Sequence, residues 1–86
     1  MNVNCPGEFD IAISMFLKAA ESHEAYGTLS AAASSLLKAS QSAKAKGDIH
    51  KTVDLLKKAA ESWGINGDLQ KYGEMLAKAA TEVRYK

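Results

Sequence analysis

The sequence contains little cysteine, proline or aromatic side chain. One cysteine and one proline occur in 86 residues, and aromatic residues make up 7% of the chain. A single cysteine excludes an internal disulfide and a zinc site built from several thiolates. Since the hydrophobic share is nevertheless 47%, the core must consist largely of alanine and leucine. That composition favours closely packed helices.

An excess of one charge and a long apolar run are also missing. The 11 basic and 10 acidic residues give a net charge of +1, whereas a nucleic-acid-binding domain of this size usually has a basic excess. No run approaches the ~20 apolar residues of a membrane span, and the N-terminus lacks the pattern of a signal peptide. We therefore expect no nucleic-acid partner and a reduced, cytoplasmic setting, with peripheral membrane association left open.

The chain repeats itself every 20 residues. The motif Lys-Ala-Ala-Glu-Ser occurs at residues 18–22 and 58–62, and weaker copies occur at residues 38–42 and 78–82. Glycine keeps the same period, at Gly7, Gly27, Gly47 and Gly67. Repetition at a fixed period is the signature of a repeat architecture. It predicts a disordered tail over residues 1–6 and one domain over residues 7–86, with the units 7–26, 27–46, 47–66 and 67–86.

Apolar residues within each unit recur at spacings of three and four, which predicts one amphipathic helix per unit. The expected helices lie near residues 8–24, 28–45, 48–63 and 68–84. The predicted buried stripes are Phe9, Ile13, Phe16, Ala20 and His23; Leu29, Ala33, Leu36, Ala39 and Ala43; Ile49, Val53, Leu56, Ala60 and Trp63; and Leu69, Tyr72, Leu76, Ala79, Ala80 and Val83.

The junctions between units have the residues of helix ends. Each glycine is placed for a positive φ at a helix C-terminus, and Thr28, Asp48 or Asp68 then supplies an oxygen to cap the next helix. Short connections make neighbouring helices antiparallel. We expect an all-α fold of two 40-residue helical hairpins in a right-handed, tetratricopeptide-like array, with a closed four-helix bundle as the alternative. Gly73 is expected to let helix four approach its neighbour closely.

The sequence contains no pattern of catalytic or cofactor-binding residues. His23 and His50 lie in different units, and neither has a second ligand at helical spacing, so we expect no metal site. Serine is frequent, but no glycine pattern of a nucleophile elbow surrounds it. Trp63 ends the third stripe, where core packing is the expected role. We therefore expect a protein that is not an enzyme and binds no cofactor.

Several segments resemble a known family of helical-repeat adaptors. Residues 9–20 (Phe-Asp-Ile-Ala-Ile-Ser-Met-Phe-Leu-Lys-Ala-Ala) resemble the early repeats of the soluble NSF attachment proteins, the gamma type most of all. Residues 47–50 with 55–60, and Tyr72 with 75–80, are similar to the repeats that follow. The resemblance implies the N-terminal part of a non-enzymatic adaptor that binds the SNARE bundle in vesicle fusion and recruits the disassembly ATPase. A generic tetratricopeptide-like scaffold that binds peptides is the alternative.

The resemblance also implies where a partner would bind, since this family contacts SNAREs through basic side chains on one face. Alternate helices of an array line opposite faces, which makes Lys18, Lys57 and Lys58 the candidate partner-binding residues. The opposite face would carry Lys38, Lys44 and Lys78.

The terminal helices of such an array are not covered by a polar helix. Exposed terminal faces allow a homodimer. The residues expected to pair between copies are Ile11, Met15 and Leu17, or Met75 and Val83.

Overall fold

A computed structural model describes residues 6–84, so the tail prediction for residues 1–5 lies outside the described residues. The described part is all-α, with no strand, as the sequence predicts. The helices are α1 (Pro6–Ala25), α2 (Leu29–Lys46), α3 (Ile49–Ile65) and α4 (Leu69–Arg84). Their ends differ from the expected ones by at most two residues. Pro6 belongs to α1 rather than to the tail, because proline at the first helical position lacks only an N–H that would have no helical partner.

The three junctions share one hydrogen-bonding pattern. Gly27, Gly47 and Gly67 have φ values of 79°, 94° and 92°, and each glycine N–H donates to the carbonyl three residues earlier at 3.0 Å. The N–H of the next residue donates to the carbonyl five residues earlier, at 2.8–3.0 Å. This pair of bonds is a Schellman motif, which satisfies the last carbonyls of a helix and requires a left-handed residue. The predicted role of these glycines is confirmed.

The predicted side-chain caps form at two of the three helix starts. Asp48 accepts a hydrogen bond from the Lys51 N–H, and Asp68 accepts one from the Lys71 N–H, both at 3.1 Å. Thr28 makes no side-chain capping bond, so the prediction of a cap there is wrong. A carboxylate at this position is also attracted to the positive N-terminal end of the helix dipole, whereas the uncharged threonine side chain is not.

The helices form an open array. Each helix packs only on its neighbours in the chain, and among the described residues α1 does not touch α4. The Cα trace measures 45 × 32 × 13 Å, with a radius of gyration of 13.1 Å, whereas a compact domain of this length has about 12 Å. A closed four-helix bundle requires contact between the first and last helices, so the contacts favour the array.

Two faces of the repeat become distinct in this arrangement. Since α1 contacts only α2, its buried residues Ile13 and Ala20 define a forward face, toward the next helix. Since α4 packs its backbone only on α3, its buried residues Met75 and Ala79 define a backward face, toward the previous helix. The interior helices cover both faces. In α3, for example, Ala60 occupies the forward face and Ala59 the backward face, and both are fully buried.

Alanine occupies most of the contact surface between the helices. Six alanines have no exposed surface, and side chains this small allow helices to approach toward the short end of the usual ~8–10 Å. These residues are Ala32, Ala33, Ala39, Ala43, Ala59 and Ala60. Two buried hydroxyls are satisfied by nearby backbone: Thr52 donates to the carbonyl of Asp48, the N-cap of α3, at 2.8 Å, and Ser40 donates to the Leu37 carbonyl at 2.6 Å.

The predicted stripe of α4 is largely wrong. Met75 is 5% exposed, so it lies in the core and does not present a free surface for a second copy, whereas Leu76 is 38% exposed. Leu69 and Val83 are also exposed. Leu69, Leu76 and Ala80 of the predicted stripe lie on the forward face, whereas α4 packs against a neighbouring helix only on its backward face. Gly73 is exposed too, and a Cβ there would meet nothing within 4 Å, so it does not permit a close approach.

Candidate protein-interaction surface

A groove runs between α1 and α3, above α2. Both α1 and α3 pack on α2, and each runs antiparallel to it. The helices α1 and α3 therefore run in the same direction. The cavity at the C-terminal end of the groove has a volume of about 510 Å³. Its lining is Leu17, Ala20, Glu21, Glu24, Leu29, Leu36, Lys58, Glu61, Ser62 and Ile65. The leucines make the base of this groove apolar.

The same groove continues toward the N-terminal half of α3 with a different charge. This second cavity, of about 300 Å³, is lined by Leu17, Lys51, Asp54, Leu55, Lys57 and Lys58. Three lysines and one carboxylate surround its apolar surface, whereas three carboxylates and one lysine surround the C-terminal cavity. The groove is therefore basic at one end and acidic at the other.

The structure brings two of the three candidate partner-binding lysines together. Lys57 and Lys58 are exposed and line the groove. Lys18 is exposed on α1, but it lines neither cavity of the groove. It is the repeat equivalent of Lys58, so it points to the side of α1 where no helix precedes it. Lys51 was not a candidate, although its spacing of seven residues from Lys58 places both on one side of a helix.

The opposite side of the array has a smaller groove between α2 and α4. Its cavity of about 320 Å³ includes Lys44, Lys78 and Glu82 in its lining. Lys44 and Glu82 form an ion pair at 2.8 Å that links the two helices across α3. The third lysine expected here, Lys38, lies instead beside Phe9 and Phe16 in a cavity between α1 and α2. The ion pair already occupies part of this smaller groove.

The α3–α4 junction places aromatic side chains near the array's end. Trp63 packs half-buried against the core, as the sequence predicts, and the Lys71 ammonium lies 5.0 Å from its ring centre. That distance is within the range of a cation–π contact. Tyr72 packs so closely on Gly64 that a Cβ there would lie 3.0 Å from its Cδ1 atom. Gly64, rather than Gly73, is thus the glycine that a close contact requires.

One ion pair ties α1 to the end of α2. The Lys46 ammonium donates a hydrogen bond to the Asp10 carboxylate. This bond is the main reason that the pKa of Lys46 is raised above its usual value of 10.5. A lysine whose pKa is raised in the folded chain stabilises the fold fully when the pH is below its ordinary pKa. The contribution is lost as the pH rises through the raised pKa. The pair therefore stays intact at neutral pH.

Within residues 6–84, no group of three or more His, Cys, Asp or Glu side chains lies close enough to hold a metal ion. His50 is exposed, and His23 is half-buried on the face toward α2. None of the helices described combines the length and hydropathy needed to cross a membrane.

Comparisons with known proteins found no match. Neither the protein-family models, nor the curated proteins, nor the solved structures gave a match to this chain. Function is therefore inferred from the geometry of the array and its groove.

Proposed function

We propose that this chain is a non-enzymatic protein-interaction module whose ligand lies in the α1–α3 groove. The observation that supports it is the groove's composition, an apolar base with charges of opposite sign at its two ends. Apolar surface supplies most of the affinity in such grooves, and charged residues around it fix the orientation of the ligand. A helical array with this kind of groove is typical of scaffolds that bind a helix or an extended peptide.

The groove's dimensions favour a short helix. From Lys51 to Ile65 the axis of α3 advances 14 residues, which is about 21 Å at 1.5 Å per residue. A helix of about four turns covers that length. Its apolar side would face Leu17 and Leu36, its acidic end would meet Lys51, Lys57 and Lys58, and its basic end would meet the carboxylates of Glu21, Glu24 and Glu61.

The resemblance to the soluble NSF attachment proteins supports a particular ligand, the SNARE bundle in vesicle fusion. An acidic helical bundle would be attracted to the basic half of the groove, where Lys57 and Lys58 lie. Lys18 does not line this groove, so it would contribute to such binding only through a surface that reaches beyond α1. Recruitment of the disassembly ATPase remains part of the same proposal and rests on the resemblance alone.

The SNARE proposal is tested by capture of assembled SNARE complex on the immobilised chain, at low and at physiological salt. The Lys57→Glu/Lys58→Glu variant should lose capture, because it reverses the charge of the basic half. A Lys38→Glu/Lys78→Glu variant makes the same change in net charge outside the groove and should retain it. Equal loss in both variants would show that only net charge matters. No capture by the folded chain at either salt would refute the SNARE ligand.

The broader proposal is tested with designed helical peptides of 14 residues. One peptide carries glutamates at its N-terminal end and lysines at its C-terminal end, and a second carries the same residues in reverse order. Either peptide can place its glutamates over the groove's lysines, because the two peptides can enter the groove in opposite directions. The helix dipole and the groove charges together favour one of the two peptides. Chemical-shift changes in labelled protein should centre on Leu17 and Lys58. They should disappear when the apolar residues of the peptide are replaced by serine. Changes centred on α2 and α4 would contradict the assignment of the groove.

A further inference from the structure

Among residues 6–84, α4 presents an apolar face without a neighbouring helix. Leu69, Leu76 and Val83 are 72%, 38% and 53% exposed. Leu69 and Leu76 lie on the forward face, and Val83 lies at its edge, where it also lines a cavity with Ile49, Val53 and Lys57 of α3. The three α4 residues have equivalents 40 residues earlier, Leu29, Leu36 and Ala43, which are half-buried or buried. Within the described residues this face of α4 is therefore bare, whereas the same repeat covers it wherever another helix follows.

The first helix presents the complementary face. Ile11 and Met15 are 62% and 64% exposed on α1. Met15 lies on the backward face, where its equivalents, Leu55 in α3 and Met75 in α4, are 4% and 5% exposed. Leu17, which the sequence groups with these two residues, is half-buried in the α1–α3 groove and does not belong to this face.

We propose that two copies of the chain join head to tail, with the forward face of α4 in one copy packed on the backward face of α1 in the other. The chain itself forms this junction three times, between α1 and α2, α2 and α3, and α3 and α4. The proposed contact uses the equivalent positions of the repeat, so it continues an existing interface and needs no new geometry. Two bare apolar faces of this kind on a small domain mark an interaction surface.

The repeat predicts the register of this junction. In the α3–α4 junction, Trp63 lies beside Lys71. Twenty residues beyond Trp63 is Val83, and sixty residues before Lys71 is Ile11. Both residues are exposed and apolar, so the proposed neighbours are compatible. Leu76 would face Met15 in the middle of the same contact, where Leu56 and Met75 occupy the equivalent positions of α3 and α4.

A head-to-tail junction differs from a symmetric dimer in its consequences. Each copy that joins still has one free face, so further copies add until a ring closes or a linear oligomer grows. Pairing of α1 with α1, or of α4 with α4, would use the same face twice and stop at two copies. This inference does not depend on the ligand of the groove, because neither face lines that groove.

The test uses two variants that each block one face, Met15→Glu and Leu76→Glu, since an unpaired buried carboxylate disfavours either contact. Ser34→Glu, on the exposed side of α2, is the matched control. All proteins carry Cys5→Ser to exclude disulfides. Circular dichroism should show unchanged helix content, because all three positions are exposed. Molar mass is then measured by light scattering over a range of concentrations.

The wild-type background and the control should gain mass with concentration beyond two chains, whereas each blocked variant should stay near 9.2 kDa. An equimolar mixture of the two blocked variants should form a dimer and nothing larger, because one intact α4 face meets one intact α1 face. A wild-type chain that stays monomeric at about 1 mM, a mixture that stays monomeric, or a dimer formed by one blocked variant alone would each overturn the proposal.

Discussion

Two adjacent residues of α4 provide a sensitive test of how that helix packs. The sequence pattern predicts that Leu76 lies in the core, whereas in the structure Met75 is 5% exposed and Leu76 is 38% exposed. Replacing a buried methionine by alanine costs about 2–5 kcal/mol. Because α4 is a terminal helix with one neighbour, its surroundings can relax, and we expect about 2–3 kcal/mol for Met75→Ala. For Leu76→Ala, partial burial gives an expected loss of about 0.5–1 kcal/mol.

These losses are measurable against the whole stability of the domain. A chain of this length typically unfolds with a free energy of about 4–13 kcal/mol. For domains of 60–100 residues, 1 kcal/mol corresponds to about 4–8 °C in Tm, so Met75→Ala should lower Tm by about 8–24 °C and Leu76→Ala by about 2–8 °C. Urea unfolding at low micromolar concentration, followed by circular dichroism at 222 nm, measures the free energies. A larger loss for Leu76→Ala than for Met75→Ala would refute the packing described for α4.

Two matched pairs of substitutions test smaller features in the same assay. Gly73→Ala should stabilise the chain by about 1 kcal/mol through helix propensity, whereas Gly64→Ala should gain less or lose stability, because its Cβ would lie 3.0 Å from the Tyr72 ring. Equal gains would contradict the close contact. Asp48→Ala should cost about 1 kcal/mol, because it removes a helix cap, and Thr28→Ala should change little, because its side chain caps nothing. A comparable loss at both positions would argue against this difference.

The turns and helix ends could be predicted because they depend on local chemistry. The dipeptides Gly47-Asp48 and Gly67-Asp68 each provide the left-handed residue that ends one helix and the side-chain cap that begins the next. Thr28 shows the limit of this reasoning. Its hydroxyl is a possible cap by residue type, but whether it accepts a hydrogen bond depends on the rotamer and backbone of one site, which the pattern does not contain.

The burial of α4 could not be predicted from periodicity, because it depends on which helices lie beside it. The apolar pattern is nearly the same in all four units, and it includes the forward face that only a following helix would cover. Leu76 therefore looks like a core residue in the sequence, while its equivalents Leu36 and Leu56 are buried. The prediction for Gly73 is wrong for the same reason, since no described helix lies beside it.

The candidate groove was predicted only in part. The assignment of Lys57 and Lys58 to one face agrees with their location between α1 and α3, while their role in binding a partner remains a prediction. The acidic end was missed, because Glu21 and Glu24 look like ordinary helix surface until α3 brings Glu61 next to them. Such a cluster depends on the packing of helices that are 40 residues apart in the chain.

The open arrangement of the four helices can be tested by measuring the distance between α1 and α4. Ser14 and Glu74 are equivalent, exposed positions near the middles of α1 and α4. With cysteines there in a Cys5→Ser chain, spin labels are attached and their separation is measured by double electron–electron resonance, with excess unlabelled protein to suppress distances between copies. Three helix spacings of 8–10 Å predict about 24–30 Å in the array. In a closed bundle the first and last helices would be about 10–14 Å apart, and a separation of that size would contradict the open array.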